Sequence, residues 1–144
     1  MKSLAEIKYL NNLAFARYLL ENLEEKLGYT LSSNPLSIKT YPRGYQVSIK
    51  DMHKITFKGL TPKVLLDKYL LPMTQIAEEG NDIGLWLDDG YVYIDFSINV
   101  SNKQQALSIG QMYNQMSIYG WAENEFFDVP PATPVAAPVT NVTP

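Results

Sequence analysis

The chain has 144 residues, with 12 basic and 15 acidic side chains, a net charge of −3 and no cysteine. That length fits one domain with a core of its own. Missing cysteines exclude a disulfide framework, a thiolate nucleophile and Cys-ligated metal, and the acidic balance disfavours nucleic acid as the main partner. No apolar run approaches about 20 residues, so no helix is expected to span a membrane. The opening segment is interrupted by Glu6, Lys8, Asn11, Asn12 and Arg17 and does not read as a signal peptide. The expected location is the cytoplasm.

Ser3-Leu4-Ala5-Glu6 fits a capping box, and a long helix is expected from there to a left-handed stop near Gly28. Tyr9, Leu13, Ala16, Leu20, Leu23 and Leu27 form one apolar stripe along it. Ile7, Leu10, Ala14 and Tyr18 form a second stripe on another side, in the first half only. A one-sided surface helix would show a single stripe. Either the first half is buried between two parts of its own domain, or Ile7, Leu10, Ala14 and Tyr18 are an oligomer interface.

Asn34-Pro35 and Pro42-Arg43-Gly44 are turn sequences, with "LSIKT" between them as a short edge strand. "GYQVSIKDMHKITFKG" alternates as two strands around a turn at Lys50-Asp51-Met52, leaving His53 an exposed residue beside that turn. Thr61-Pro62 opens a second helix with a capping hydroxyl and Pro at its first position. Pro72 is expected to end or kink it at about Leu71. "PMTQIAEEG" adds a helical turn that stops at Gly80. "IGLWLDDGYVYIDFSINV" is a hairpin on Asp89-Gly90, the pair a type I′ turn requires. In its second strand Val92, Ile94, Phe96, Ile98 and Val100 face a core. Ser101 is expected to cap a third helix, "NKQQALSIGQMYNQ". "SIYGW" and "EFFDV" then form a strand pair around Ala122-Glu123-Asn124. The strand at 91–100, this helix and "SIYGW" fit one right-handed crossover unit. From Val129 the chain carries five prolines and no charged side chain, the composition of a flexible tail.

The fold expected is therefore α+β: a mixed, mainly antiparallel sheet of hairpins packed by about three helices. It occupies residues 1–128 and is followed by a Pro/Val/Thr-rich, disordered tail over residues 129–144.

Chemistry is sparse. His53 is the single histidine. No G-x-S-x-G elbow occurs, and the segment around Ser108 lies within a predicted helix. Neither G-x-x-x-x-G-K-[ST] nor G-x-G-x-x-G is present. Asp88 and Asp89 are explained by the hairpin turn rather than by metal ligation. No catalytic residue, metal ligand or cofactor site is assigned. Asp95 is the one acid that pattern places on a sheet face, and the neighbouring "IGLWL" offers it no acidic partner for acid–base work. An enzyme of unknown class is the third reading.

Binding remains. With helices on one side of the sheet, the other side carries Tyr91, Tyr93, Asp95, Ser97 and Asn99, together with Lys54 and Lys58. Such a face is an ordinary solvated sheet surface, a protein–protein face, or a site for a small nucleotide-like ligand with bases stacked on tyrosine and phosphate near lysine. The first reading of function is a non-enzymatic binding or accessory protein that self-associates. The second is a small-ligand binding or sequestering protein using the Tyr/Asp/Ser face.

The segment from Asp95 through "SINVSNKQQALSIGQMYNQMSIYGW" resembles the C-terminal part of short uncharacterised accessory proteins of tailed phages and their hosts. Those run strand, helix, Asn-Gln, a variable residue, small-Ile-aromatic, and a closing acidic–aromatic hairpin. The matching positions are Asn114, Gln115, Met116, Ser117, Ile118 and Tyr119. The resemblance implies a small phage-type accessory protein in the host cytoplasm, a counter-defence factor among the roles open to it. It supplies no catalytic residues.

Overall fold

A computed structural model of the chain describes residues 1–131. The expected tail from residue 132 onward lies outside the described residues.

Helix α1 (Leu4–Lys26) begins on the predicted capping box. Ser3 Oγ accepts from the Glu6 amide at 3.1 Å, and Glu6 Oε1 accepts from the Ser3 hydroxyl and amide at 3.3 and 3.5 Å. It stops one residue earlier than expected. Leu27, not Gly28, takes the left-handed conformation, at φ 68°, and its N–H bonds Leu23 O at 2.7 Å. Gly28 starts strand β1 (Gly28–Ser33), where a Cβ would run into the indole of Trp86. β1 is not apparent from the sequence. Tyr29, Thr30 and Leu31 are all buried, so the strand has no polar alternation to reveal it. It pairs with the expected edge strand β2 (Leu36–Ile38).

Strand β3 (Tyr45–Thr56) is one 12-residue strand, where two strands and a turn were expected. Its register against the later strand β5 slips twice, between Ser48 and Lys50 and between Asp51 and His53. Each slip inserts an extra residue and inverts the faces of the residues beyond it. The first brings Asp51 opposite Asp95; the second returns Ile55 to a position opposite Val92. His53 is accordingly within a strand, with its ring 4.8 Å from that of Tyr69, rather than in an exposed turn.

Thr61 caps the second helix, its Oγ1 accepting from the Val64 amide at 3.2 Å. The helix runs through α2 (Pro62–Val64), a π-helical turn (Leu65–Leu70) and α3 (Leu71–Ile76) without stopping at Pro72. The Leu71 N–H reaches back five residues, to Leu66 O. That wider turn just before the proline leaves room for a ring that α geometry would clash with. It also keeps Leu65, Leu66, Leu70 and Met73 buried.

Strands β4 (Asp82–Asp88) and β5 (Tyr91–Val100) form the predicted hairpin, with Asp89 and Gly90 at φ 49° and 80°. Helix α4 (Lys103–Met112) is capped by Asn102, not Ser101. The Asn102 side chain accepts from the Gln105 amide at 2.9 Å. Strands β6 (Ser117–Gly120) and β7 (Glu125–Asp128) close the domain as expected.

The seven described strands make one sheet, in the order β2-β1-β4-β5-β3-β6-β7, and every pairing is antiparallel. β5 and β6 are each antiparallel to β3 between them, so they run parallel to each other, joined through α4. The helices cover one face. Ala16, Leu19 and Leu23 of α1 and Leu65, Leu66, Leu70 and Met73 pack with Tyr29, Leu31, Ile83, Leu85, Val92, Ile94 and Phe96. A second cluster joins Val47, Ala106, Ile118 and Val129. Val129 therefore belongs to the domain rather than to the tail: its N–H bonds Met116 O at 2.9 Å and its side chain packs over Gly110. No helix among the described residues is long and apolar enough to cross a membrane.

Candidate functional site

Two surfaces are candidates: the sheet face away from the helices, and the outward side of α1.

The sheet face is not flat. Trp86 on β4 and Phe126 on β7 lie four strand spacings apart in the sheet order, which in a flat sheet would separate them by about 19 Å. Their rings are 5.4 Å apart. β6 pairs with β3 only at Tyr45 and Gln46, so the β6–β7 hairpin can swing inward and roll the sheet around this face. Phe126, Tyr119, Trp121 and Tyr41 continue the line of rings, with centroids 5.1–5.6 Å apart. The rings meet tilted or edge to face, packing on one another.

Beneath them lies a polar layer. Asp82 Oδ2 accepts from the Tyr41 hydroxyl at 2.6 Å and from Gln46 Nε2 at 2.9 Å. Gln46 Nε2 also donates to Ser97 Oγ at 2.9 Å, and Gln46 Oε1 accepts from the Trp121 indole at 3.0 Å. Burial, then the Asp82 carboxylate, push the Tyr41 phenol well above its ordinary range. These bonds tie the loop carrying Tyr41 and the turn carrying Trp121 onto the sheet.

Asp95 sits in the same layer, 6% exposed. Its Oδ1 has no hydrogen-bond partner and lies over Gly84, where a Cβ would overlap it. Burial first, and the Asp51 charge second, push this carboxyl up to about 7. Ser48, the Trp86 indole and the Gly84 amide lie near enough to oppose the shift, but none closes a hydrogen bond on Oδ1. The "IGLWL" segment of the neighbouring strand β4 offers Asp95 no acidic partner; one comes from β3, where the first bulge sets Asp51 opposite it. A bulge inside an alternating strand leaves no local signal, so the sequence does not single out Asp51.

The seven expected ligand residues do not share one open platform. Asp95 and Ser97 are buried, and Asn99 is half-buried, donating from Nδ2 to Arg43 O at 3.4 Å. Lys58 lies off the sheet, in the turn closed by Leu60 N–H on Phe57 O. Tyr91, Tyr93 and Lys54 do come together at the rim. The Lys54 amine stands 4.3 Å and 5.7 Å from the two ring centroids. Two shallow, open concavities lie elsewhere, one on α1 around Glu6, Tyr9 and Leu10, the other between Asn34, Lys39 and Glu78. Among the described residues no group of three or more His, Cys, Asp or Glu side chains is placed to hold a metal.

The outward side of α1 is different. The helix is clasped at Tyr9, whose hydroxyl donates to Asp67 at 3.0 Å, while Lys63 pairs with Asp67 at 2.7 Å. The Lys63 amine and Tyr9 hydroxyl hold the Asp67 carboxyl below its usual range. Ala16, Leu19 and Leu23 are fully buried on the sheet side. Ile7, Leu10, Ala14 and Tyr18 are all exposed on the opposite side, Ile7, Leu10 and Tyr18 by 45%, 41% and 48%. The expectation that the first half of α1 is buried between two parts of its own domain is thus overturned. Leu4, at 83% exposure, extends the stripe to the first turn.

No family model, curated protein or solved structure matches this chain.

Proposed function

We propose that this chain is a non-enzymatic binding or accessory protein that self-associates through the outward side of α1. The observation that carries this reading is the aligned stripe of Ile7, Leu10, Ala14 and Tyr18, left open on a helix whose other side packs on the domain through the buried Ala16, Leu19 and Leu23. Scattered exposed apolar residues are ordinary on a soluble domain, but a contiguous line of them marks an interaction surface. The accessory role is the one implied by the resemblance to tailed-phage proteins. On the sheet face Asp82 and Asp95 are buried and Asp82 is held by Tyr41 and Gln46, which favours a binding role over acid–base chemistry there.

Size-exclusion chromatography with light scattering, across the micromolar range, tests self-association. The wild-type mass should rise above that of one chain, and Leu10→Glu should hold it at one chain with an unchanged circular dichroism spectrum. A wild-type protein that stays monomeric throughout removes the proposal.

A second reading, a nucleotide-like ligand stacked at the rim, is favoured by one observation: the Lys54 amine lies beside the rings of both Tyr91 and Tyr93. A ligand at 100 times its dissociation constant stabilises a protein by about 2.7 kcal/mol. A thermal-shift screen of nucleotides that moves nothing would dispose of it.

A further inference from the structure

We infer that the self-association surface takes a second copy of α1 in antiparallel orientation, with the twofold axis near residue 12 and Glu6 of each chain paired with Arg17 of the other. The inference rests on the self-association reading and specifies its geometry.

Charge placement decides the orientation. At 3.6 residues per turn, Ile7, Ala14 and Glu21 fall on one line, with Leu10 and Tyr18 to either side and Glu25 continuing the same strip. The outward strip is therefore apolar from residue 4 to residue 18, but for Asn11 on one edge, and acidic from 21 to 25, where Glu21, Glu24 and Glu25 are all exposed. A parallel, in-register pair would set these glutamates against their own copies inside the seam. Like charges placed so are destabilising.

An antiparallel pair centred on the apolar section avoids this. Ile7 then meets the other copy's Tyr18, and Leu10 its Ala14, a small side chain facing a larger one. The acidic end of each helix projects past the first turn of the other. There it meets Lys2 and the positive end of the helix dipole, a favourable place for carboxylates.

The flanks make the same choice. Glu6 and Arg17 are both exposed and lie along one edge of the stripe. In an antiparallel twofold pair each edge meets the same edge of the other copy, so Glu6 faces Arg17 twice over. In a parallel pair that edge meets the opposite one, which carries Leu4, Asn11 and Tyr18 and offers no charge. The contact spans about four helical turns, which belongs at the small end of specific interfaces, below roughly 1,200 Å². A dimer that exchanges with monomer is expected.

The test uses charge reversal in the full-length chain. With E6R the paired edge carries two arginines, and with R17E two glutamates. Each variant alone should dimerise about tenfold more weakly than wild type, because two modest attractions become repulsions. An equimolar mixture of E6R and R17E should recover wild-type mass by light scattering, because the antiparallel heterodimer replaces the like-charge clashes with one restored Glu–Arg contact and its charge-reversed counterpart. E6R also removes half of the capping box, so circular dichroism of each variant checks that the helix persists. A second readout exploits the lack of native cysteine: under an added mild oxidant such as oxidised glutathione, mixed I7C and Y18C chains should form a disulfide with each other, and I7C alone should not. Wild-type dimers with no weakening in the variants, no recovery in the mixture, or an I7C homodisulfide would overturn the antiparallel arrangement and leave self-association standing. A wild-type monomer would overturn both.

Discussion

Asp95 is the most unfavourably placed acid among the described residues. Its carboxyl is buried, its Oδ1 is unpartnered, and Asp51 faces it from β3. Asp82, the other acid of the layer, is occupied by Tyr41 and Gln46. The sign of the consequence comes from linkage. The folded-state pKa is raised from 3.8 to about 7, so between those limits the folded chain binds more protons than the unfolded one. Stability must then fall as pH rises through that window and level off above it. A tenfold change in proton affinity corresponds to about 1.4 kcal/mol, so the swing attributable to this group is on the order of 2–4 kcal/mol. Denaturation at pH 5 and pH 8 should show it, with the lower pH the more stable. Asp95→Asn should abolish most of the difference and raise stability at pH 8, since an amide keeps the shape without the charge. An unchanged pH profile in that variant would show that Asp95 is not buried as described. The sequence marks Asp95 as the only charge on its side of the strand. It does not show the burial, because the groups beside the carboxyl, Gly84 and Trp86 of β4 and Ser48 and Asp51 of β3, come from other strands.

At the scale of elements, features set by adjacent residues are legible in the sequence, and features set by a distant partner are not. The capping box at Ser3, the Thr61-Pro62 helix start and the Asp89-Gly90 turn are each fixed by a few adjacent residues, and each stands as expected. β1 escapes because it is covered on both sides. β3 reads as two strands because its bulges invert the alternation that identifies a strand. Pro72 does not end its helix because a π turn absorbs it, and that turn is held by the burial of Leu65, Leu66 and Leu70, a tertiary effect. The end of β7 is a similar case. Proline-rich composition suggests that the domain stops at residue 128, yet Val129 fills the gap over Gly110 beside Ile118. Val129→Ala should therefore cost roughly 1–3 kcal/mol, lost transfer energy plus a cavity. It should lower the urea midpoint without changing the slope. A midpoint equal to wild type would place Val129 outside the core.

For the whole molecule the division of labour is between a sheet covered by helices on one face and in part by aromatic rings on the other, and a helix covered on one side only. Helices cover one face of the sheet, and rolled-in aromatic rings cover the polar layer on the other. An aligned open apolar surface lies on α1, and the sequence exposes it directly as a second stripe. Pattern alone does not decide between a domain partner and another chain, because both bury the same residues. Among the described residues no part of the domain covers the stripe, and mass action then gives a measurement that needs no knowledge of the dimer's shape. Association stabilises the folded chain by an amount that grows with the logarithm of concentration above the dissociation constant. The wild-type melting temperature should therefore climb as concentration rises through the micromolar range. Leu10→Glu separates interface from fold, because Leu10 is 41% exposed in the single chain. A substitution at such a surface position stays within about 0.5 kcal/mol in the monomer. The variant should match wild type when dilute and fall progressively below it when concentrated. Parallel, concentration-independent curves would mean that the stripe is open to solvent and recruits no second copy. A constant offset at every concentration would mean that Leu10 supports the fold of its own chain.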